Sequence, residues 1–137
     1  MKTLDSIVPP PHALHSSSGL TWLDEDGIIM AVGAPQELHT LEHAMENHEI
    51  NMKLAGGIKR PFLIDMTRVK SMSNEARKFY AGPEPQKILT AVALLTQSNF
   101  GKLVANFFIG LAKPALPTRM FTDLQEARSW LLQQHKP

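Results

Sequence analysis

The two histidines of the segment His39-Thr40-Leu41-Glu42-His43 have a spacing that could support metal chemistry. Side chains four residues apart lie on one side of a helix, so both imidazoles could ligate one zinc ion, and the H-x-x-E-H pattern occurs in zinc proteases. At ~100° per residue, however, both imidazoles lie opposite the apolar stripe of the expected helix, in solvent and without a wall to position a substrate. We therefore expect a solvated helix face, without a bound metal.

Four basic residues flank the start of the expected second helix: Arg68, Lys70, Arg77 and Lys78. A helix N-terminus carries free N–H groups and partial positive charge, so nearby bases could complete a site for an anion. Phosphate, a lipid headgroup or an acidic protein surface would suit such a site, and four solvated surface residues are the other interpretation. Asp65, at the end of the preceding strand, is expected to accept hydrogen bonds from loop N–H groups.

The remaining sequence contains no recognisable motif for catalysis or for cofactor binding. The chain has no cysteine, which excludes thiolate nucleophiles, disulfides and cysteine-ligated metals. It has no G-x-S-x-G nucleophile turn, and Gly101-Lys102 lacks the preceding glycines of a phosphate-binding loop. The sequence thus predicts neither an enzyme nor a bound cofactor.

Charge and hydropathy also limit the possible functions. The net charge of the 137 residues is +1, which excludes a strong overall signal for nucleic-acid binding. Residues 1–50 sum to −7 and residues 51–137 to +8, so the surface could carry two regions of opposite sign, unless the signs interleave in the fold. We expect no membrane span, and a cytoplasmic location because the N-terminus lacks an apolar signal segment.

The pattern of strands and helices predicts an α/β domain. Residues 1–18 combine three prolines in a row with three serines, which is typical of an extended or disordered arm. Residues 19–134 are long enough for one domain. The runs Leu20–Leu23 and Ile28–Val32 flank an Asp-Gly step and predict an antiparallel hairpin.

The next segment predicts a helix that begins at Pro35 and ends at the pair Gly56-Gly57. Its core-facing seam should contain the residues that recur at spacings of three and four: Leu38, Leu41, Met45, His48 and Met52.

The remaining chain alternates between apolar runs and helical segments. Strands are expected at Phe62–Ile64, Leu89–Thr96 and Thr118–Thr122, each followed by a helix. Ser73 should cap the second helix and Asp123 the last one. The order β-β-α-β-α-β-α-β-α implies a mixed sheet that is parallel except at its hairpin.

The segment Pro61–Ala76 (PFLIDMTRVKSMSNEA) resembles the STAS domain of anti-sigma-factor antagonists and sulfate-transporter tails, and most closely the uncharacterised bacterial SpoIIAA-like branch. The resemblance continues through Ala91–Leu95, Phe100–Leu111 and Pro117–Asp123 and spans roughly residues 19–134. It implies a STAS-like mixed sheet and a regulatory function exerted through a protein partner.

The regulatory switch of that family depends on a serine at the start of the helix, which a partner kinase phosphorylates. Asp65-Met66-Thr67 matches the family's strand end, but the turn reads Ser73-Asn74-Glu75-Ala76 and places Asn74 at the phosphoacceptor position. Asparagine has no hydroxyl group, so the switch cannot transfer to that position. Ser73 is better suited to a helix cap.

The expected third helix, from Asn99 to about Ala112, is apolar over more of its circumference than one sheet contact requires. The surplus around Phe108, Ile109 and Ala112 could form a dimer interface, contact neighbouring helices, or bind a lipid or apolar ligand.

The sequence therefore predicts a non-enzymatic regulatory or protein-interaction module of STAS-like type, which forms a homodimer. Its partner or anion surface would comprise Arg68, Lys70, Ser73, Asn74, Arg77 and Lys78. The alternative is a small-ligand or lipid carrier, with a deep cavity that a partner module should lack and with Phe107 and Phe108 among its lining residues. A metal-binding enzyme that uses His39 and His43 is the third hypothesis.

Overall fold

The computed structural model describes residues 7–96 and 116–134. Six strands in these ranges form one sheet, and their order in space follows the chain. They are β1 (Leu14–Ser16), β2 (Gly19–Leu23), β3 (Ile29–Gly33), β4 (Arg60–Asp65), β5 (Leu89–Leu95) and β6 (Thr118–Phe121). β1 to β3 pair antiparallel, whereas β3 to β6 pair in parallel. The chain thus has the mixed α/β sheet that the sequence predicts.

Helices cover both faces of this sheet. The described ranges contain α1 (Leu41–Ala55), α2 (Asn74–Ala81), the short α3 (Pro83–Gln86) and α4 (Leu124–Gln134). α1 and α2 contribute to one buried cluster, and α4 contributes to a second cluster on the other side of the sheet. We refer to these two sides as the α1 face and the α4 face. None of the described helices is both long enough and apolar enough to cross a bilayer.

The hairpin of β2 and β3 forms at the predicted Asp-Gly turn. The Asp24 carboxylate accepts hydrogen bonds from the backbone N–H groups of Asp26 and Ile28, both at 2.9 Å. Gly27 has a φ of +82°, which a side chain would disfavour. Local turn chemistry therefore sets the register that pairs Leu23 with Ile29.

Strand β1 lies within the segment 1–18, for which the sequence predicted an arm without a folded element. It pairs antiparallel with β2, and Leu14 lies opposite Thr21. The following Ser17 donates its hydroxyl and its backbone N–H to the Glu46 carboxylate on α1, at 2.6 and 3.2 Å. Three residues are too few to show the period-two alternation by which strands are recognised in a sequence.

The first helix begins at Leu41, and the prediction that it begins at Pro35 is wrong. The segment Gln36–His39 is not helical and pairs in parallel with the loop 68–73, through bridges from Gln36 to Val69 and from His39 to Met72. Thr40 is the N-cap of α1. Its hydroxyl accepts the His43 N–H at 3.4 Å, and Nδ1 of His43 accepts the Thr40 N–H at 3.0 Å.

The predicted core seam of this helix is also wrong. The residues that α1 buries are Ala44, Asn47, His48, Asn51 and Ala55, so only His48 of the predicted set is among them. Met45 and Met52 are about half exposed, at 49% and 44%. The helix is therefore rotated so that polar side chains face the sheet and methionines face away from it.

The α4 face follows its sequence pattern closely. Ala127 and Leu131 of α4 are fully buried against the sheet. The Asp123 carboxylate accepts the Glu126 N–H at 2.9 Å and caps the helix as expected. The predicted helix over residues 99–112 lies outside the described residues.

Candidate functional site

A cavity of about 110 Å³ lies on the α1 face of the sheet. Its apolar wall comes mostly from the sheet and from the loop after β4: Phe62, Ile64, Met66, Val69, Met72, Leu89, Val92 and Leu94. Its polar wall comes from α1, α2 and the segments before them: Ser18, Gln36, His39, Asn47, His48, Asn51, Arg77 and Tyr80. The cavity thus combines an apolar floor with a small number of polar groups, which is typical of small-molecule sites.

Helix α1 supplies three of these polar groups because Asn47, His48 and Asn51 share its inner face. Positions i, i+1 and i+4 of a helix lie on one side, so their side chains project together toward the sheet. Their relative exposures are 8%, 8% and 4%. At the two ends of the same face Ala44 and Ala55 are buried. A buried polar helix face of this kind costs stability unless its hydrogen bonds are made.

The hydrogen bonds around His39 determine its tautomer. The Gln36 amide nitrogen donates to the backbone oxygens of Ser18 and Ala34, at 3.1 and 3.3 Å. The Gln36 amide oxygen therefore faces His39 Nδ1, at 2.9 Å, and this nitrogen must carry the proton. His39 Nε2 is then an acceptor, and the Tyr80 hydroxyl donates to it across 2.8 Å.

The same network continues from Tyr80 to the N-terminal strands. Asn47 Nδ2 donates to the Tyr80 hydroxyl oxygen at 3.4 Å. The Asn47 amide oxygen accepts from the buried Ser18 hydroxyl at 2.7 Å. Gln36, His39, Tyr80, Asn47 and Ser18 thus form one connected series of hydrogen bonds, which we call the His39 network. Such satisfied networks hold side chains in one geometry.

Burial disfavours the charged forms of the two histidines and the tyrosine in this wall. Burial, and then the nearby charge of His43, lowers the pKa of His39 to about 4. Burial also lowers the pKa of His48, partly offset by Glu84, and it raises the pKa of Tyr80. At neutral pH His39 is therefore a neutral imidazole, as its hydrogen bonds require.

Asn51 differs from its neighbours because its amide has no hydrogen-bond partner. The Oδ1 atom is completely buried and accepts no hydrogen bond. No hydrogen bond made by the described residues involves Nδ2. Leaving such a group unpaired costs roughly 1–3 kcal/mol. Asn51 lines the cavity, so rotation of its side chain could turn this unpaired amide toward a ligand.

The structure places the two histidines differently from the prediction. His39 precedes the helix and is 3% exposed, so the prediction that it lies in solvent is wrong. The ring centroids of His39 and His43 are 5.2 Å apart, but both nitrogens of His39 and one of His43 already have partners. Among the described residues, no group of three His, Asp or Glu side chains could hold a metal ion.

The predicted anion surface is divided between different environments. Arg68, Lys70, Asn74 and Lys78 are exposed. Lys70 pairs with the exposed carboxylate of Glu37 at 2.9 Å. Arg77 instead lines the cavity and donates from Nη2 to the Met72 carbonyl at 3.1 Å.

Two local roles in this region are confirmed. Ser73 caps α2, and its hydroxyl accepts the Ala76 N–H at 3.1 Å. The Asp65 carboxylate accepts the backbone N–H of Thr67 at 2.9 Å, in the loop after β4. Phe107 and the predicted interface residues Phe108, Ile109 and Ala112 lie outside the described residues.

Sequence reasoning missed Gln36, Asn47 and Asn51 as site residues. A usable signal was present on α1, where Ala44, Asn47, His48, Asn51 and Ala55 recur at spacings of three and four. A stripe of polar residues bounded by alanines at helical spacing could have been interpreted as an inner face. The apolar side chains of Met45 and Met52 on the other side of the helix instead led to the prediction that their side faces the core.

Comparisons with solved structures give two similar proteins without an established function. One is a crystal structure of an uncharacterised protein from the DUF3478 family of Shewanella loihica PV-4, described as having a SpoIIAA-like fold. It is 24% identical, with 87% of this chain and 90% of that chain covered and a TM-score of 0.49. The other, from Arthrobacter sp. FB24, is 25% identical over 88% of this chain and 97% of that one, with a TM-score of 0.34.

The SpoIIAA-like fold named for the Shewanella protein is the one that the sequence resembles. None of the curated proteins matches the chain significantly. Residues 21–135 match a family described as a domain of unknown function, DUF7793. Because this match covers most of its length, the chain belongs to the DUF7793 family.

Proposed function

We propose that this domain is a non-enzymatic binding module that takes a small molecule into the cavity on the α1 face. This is the second hypothesis from the sequence, because a partner module alone was expected to lack a deep cavity. The observation that carries the proposal is the Asn51 amide, buried and unpaired on the wall of a cavity of about 110 Å³.

The energetic argument starts from the cost of this arrangement. A cavity in the core and an unpaired buried amide each reduce the stability of the free protein. A ligand that fills the cavity and hydrogen-bonds to Asn51 would offset both costs. Groups that reduce the stability of a fold are expected mainly where function requires them. The polar inner face of α1 fits this expectation.

The chemistry of the wall supports binding rather than catalysis. Both ring nitrogens of His39 are engaged, by Gln36 and by Tyr80. The Tyr80 hydroxyl directs its proton to His39, and burial raises its pKa. Neither group is therefore positioned to exchange a proton with a bound molecule near neutral pH. The His39 network instead fixes the shape of the wall.

A regulatory function remains part of this proposal because the cavity borders the predicted partner surface. The loop after β4 alternates between exposed and buried residues. Arg68 and Lys70 are exposed, whereas Val69 and Met72 line the cavity. A ligand in contact with Val69 and Met72 could thus influence how this loop presents its basic side chains to a protein partner.

Ligand binding can be tested with purified protein and a panel of single-ring compounds. We expect a one-to-one complex in native mass spectrometry and a raised melting temperature for some members of the panel. Val92 lines the cavity, so Val92→Phe should fill part of it and abolish both effects. Leu132→Phe, at a position 41% exposed on α4, is the matched control and should leave them unchanged. Failure of every compound to bind the wild-type protein would contradict the proposal.

A further inference from the structure

The Asn51 amide also indicates the chemistry of the ligand, and this inference rests on the proposed function. The amide offers an acceptor, Oδ1, beside a donor, Nδ2, and the described residues satisfy neither of them. A ligand that presents a donor beside an acceptor could make two parallel hydrogen bonds to these atoms. A ligand with only one of these groups would leave half of the amide unpaired.

The other amides of the wall do not compete for this role. Gln36 donates to two backbone oxygens and accepts from His39. Asn47 donates to Tyr80 and accepts from Ser18. Both amides are therefore occupied at their oxygen and at their nitrogen, and Asn51 differs from them in having no partner. Recognition by hydrogen bonds at this wall should depend chiefly on Asn51.

The volume of the cavity limits the size of the ligand. An engineered apolar cavity of about 150 Å³ binds benzene. A cavity of about 110 Å³ is smaller and limits the ligand to at most about one small ring. The apolar floor formed by residues such as Phe62, Ile64 and Leu94 suits the face of a flat ring.

The charge of the wall favours a ligand that carries a carbonyl group. The imidazole of His39 is held neutral by its two hydrogen bonds and offers no countercharge. The Arg77 guanidinium lines the cavity while it donates to the Met72 carbonyl, and its positive field would favour a carbonyl oxygen. We infer that the ligand is a small ring with an N–H beside a C=O, as in a lactam or imide, which pairs with both atoms of the Asn51 amide.

Calorimetric titration of the full chain with four probes tests this inference. The probes are 2-pyridone, which has the N–H and the C=O; N-methyl-2-pyridone, which lacks the donor; benzene, which lacks both; and benzoate, which is an anion. We expect 2-pyridone to bind at least ~10-fold more tightly than the other three probes. Only 2-pyridone can make both neutral hydrogen bonds to the Asn51 amide. Asn51→Leu should remove this preference and bind benzene at least as well as 2-pyridone.

The probes separate the inference from the proposed function. Equal affinity of the wild-type protein for 2-pyridone and benzene would overturn the inference and leave the cavity as a ligand site. Tighter binding of benzoate would also overturn it, because recognition would then depend on charge. If the Asn51→Leu variant still binds 2-pyridone more tightly than the other probes, a group other than Asn51 recognises the ligand, which would also overturn the inference. If none of the four probes binds, the proposed function fails together with the inference.

Discussion

The two faces of the sheet are built from the same strands but differ in what their helices bury. On the α4 face the helix buries Ala127 and Leu131, in a cluster where Ile28, Leu63 and Leu95 are also fully buried. On the α1 face the helix turns Asn47, His48 and Asn51 toward a cavity. The α4 face thus has the packing of an ordinary core, whereas the α1 face is less closely packed and buries polar groups.

The two faces thus separate the part of the molecule that stabilises the fold from the part that we propose binds a ligand. Close packing without polar groups is the arrangement that stabilises a fold, and the α4 face approaches it. An unpaired buried amide on the wall of a cavity lowers the stability of a fold, so we assign the binding function to the α1 face. Substitutions and acidification should therefore affect the two faces differently.

Truncation of a core leucine should cost more on the α4 face than on the α1 face. Leu131→Ala removes a fully buried side chain from a packed cluster, and we expect a loss of about 3–5 kcal/mol in the free energy of unfolding. Leu94→Ala removes a side chain that already borders the cavity, and we expect a smaller loss of about 2 kcal/mol. Urea denaturation measures both values, and a larger loss for Leu94→Ala would contradict the comparison.

Acidification should destabilise the protein through the α1 face. The pKa of His39 is about 4 in the folded protein and near its ordinary value of 6.5 in the unfolded chain. The unfolded chain therefore takes up the proton first, so stability falls as the pH decreases from about 6.5 to about 4. His39 alone should account for about 3 kcal/mol, measured by chemical denaturation at a series of pH values.

The matched control for this pH dependence is His39→Gln. Glutamine does not titrate, so the variant should lose less stability than the wild-type protein over the same pH interval. Parallel stability curves for the two proteins would show that protonation of His39 does not oppose folding, and the description of the His39 network would then be wrong.

The two buried asparagines of α1 should respond to substitution with opposite signs. Asn51→Leu removes an unpaired amide, and we expect the ligand-free protein to gain about 1–2 kcal/mol in stability. Asn47→Leu removes the acceptor of the buried Ser18 hydroxyl, and we expect a loss of about 1–3 kcal/mol. Thermal and urea unfolding measure both changes. Destabilisation by both substitutions would mean that the Asn51 amide is satisfied in solution.

The smallest effect should come from the ion pairs at the border of the α4 face. Arg128 of α4 pairs with Asp24 at 2.7 Å and also with Asp26, which ties the helix to the β2–β3 turn. These groups are only partly exposed, so we expect Arg128→Ala to cost about 1 kcal/mol, with a dependence on salt. Lys70→Ala, which removes a fully solvated pair with Glu37, should change the stability by less than about 0.5 kcal/mol.

The sequence predicted those parts of the fold that depend on local chemistry. The turn at Asp24–Gly27, the cap at Ser73 and the cap at Asp123 each involve groups within four residues of one another. The start of α1 could not be predicted in this way. Pro35 suits a helix, but the backbone of Gln36–His39 instead pairs with a loop about thirty residues away, which no local pattern reveals.

The candidate site was less predictable than the fold because it violates the usual hydrophobic pattern. Met45 and Met52 mark the apolar side of α1 in sequence, but the helix buries Asn47 and Asn51. The tertiary contacts of Asn47, which reach Ser18 and Tyr80, explain its burial and are not encoded locally. Nothing in the sequence distinguishes an asparagine that will be unpaired from one that will be satisfied.

Chemical-shift mapping by NMR can locate a bound ligand on one face of the sheet. In ¹H–¹⁵N spectra of the full chain titrated with 2-pyridone, we predict the largest changes for the Asn51 side-chain amide and for backbone amides that border the cavity, such as those of Met72 and Tyr80. The amides of Ala127 and Leu131 on the α4 face should be unaffected. Changes confined to the α4 face, or an unchanged Asn51 side-chain signal at saturation, would contradict the assignment of the ligand site to the α1 face.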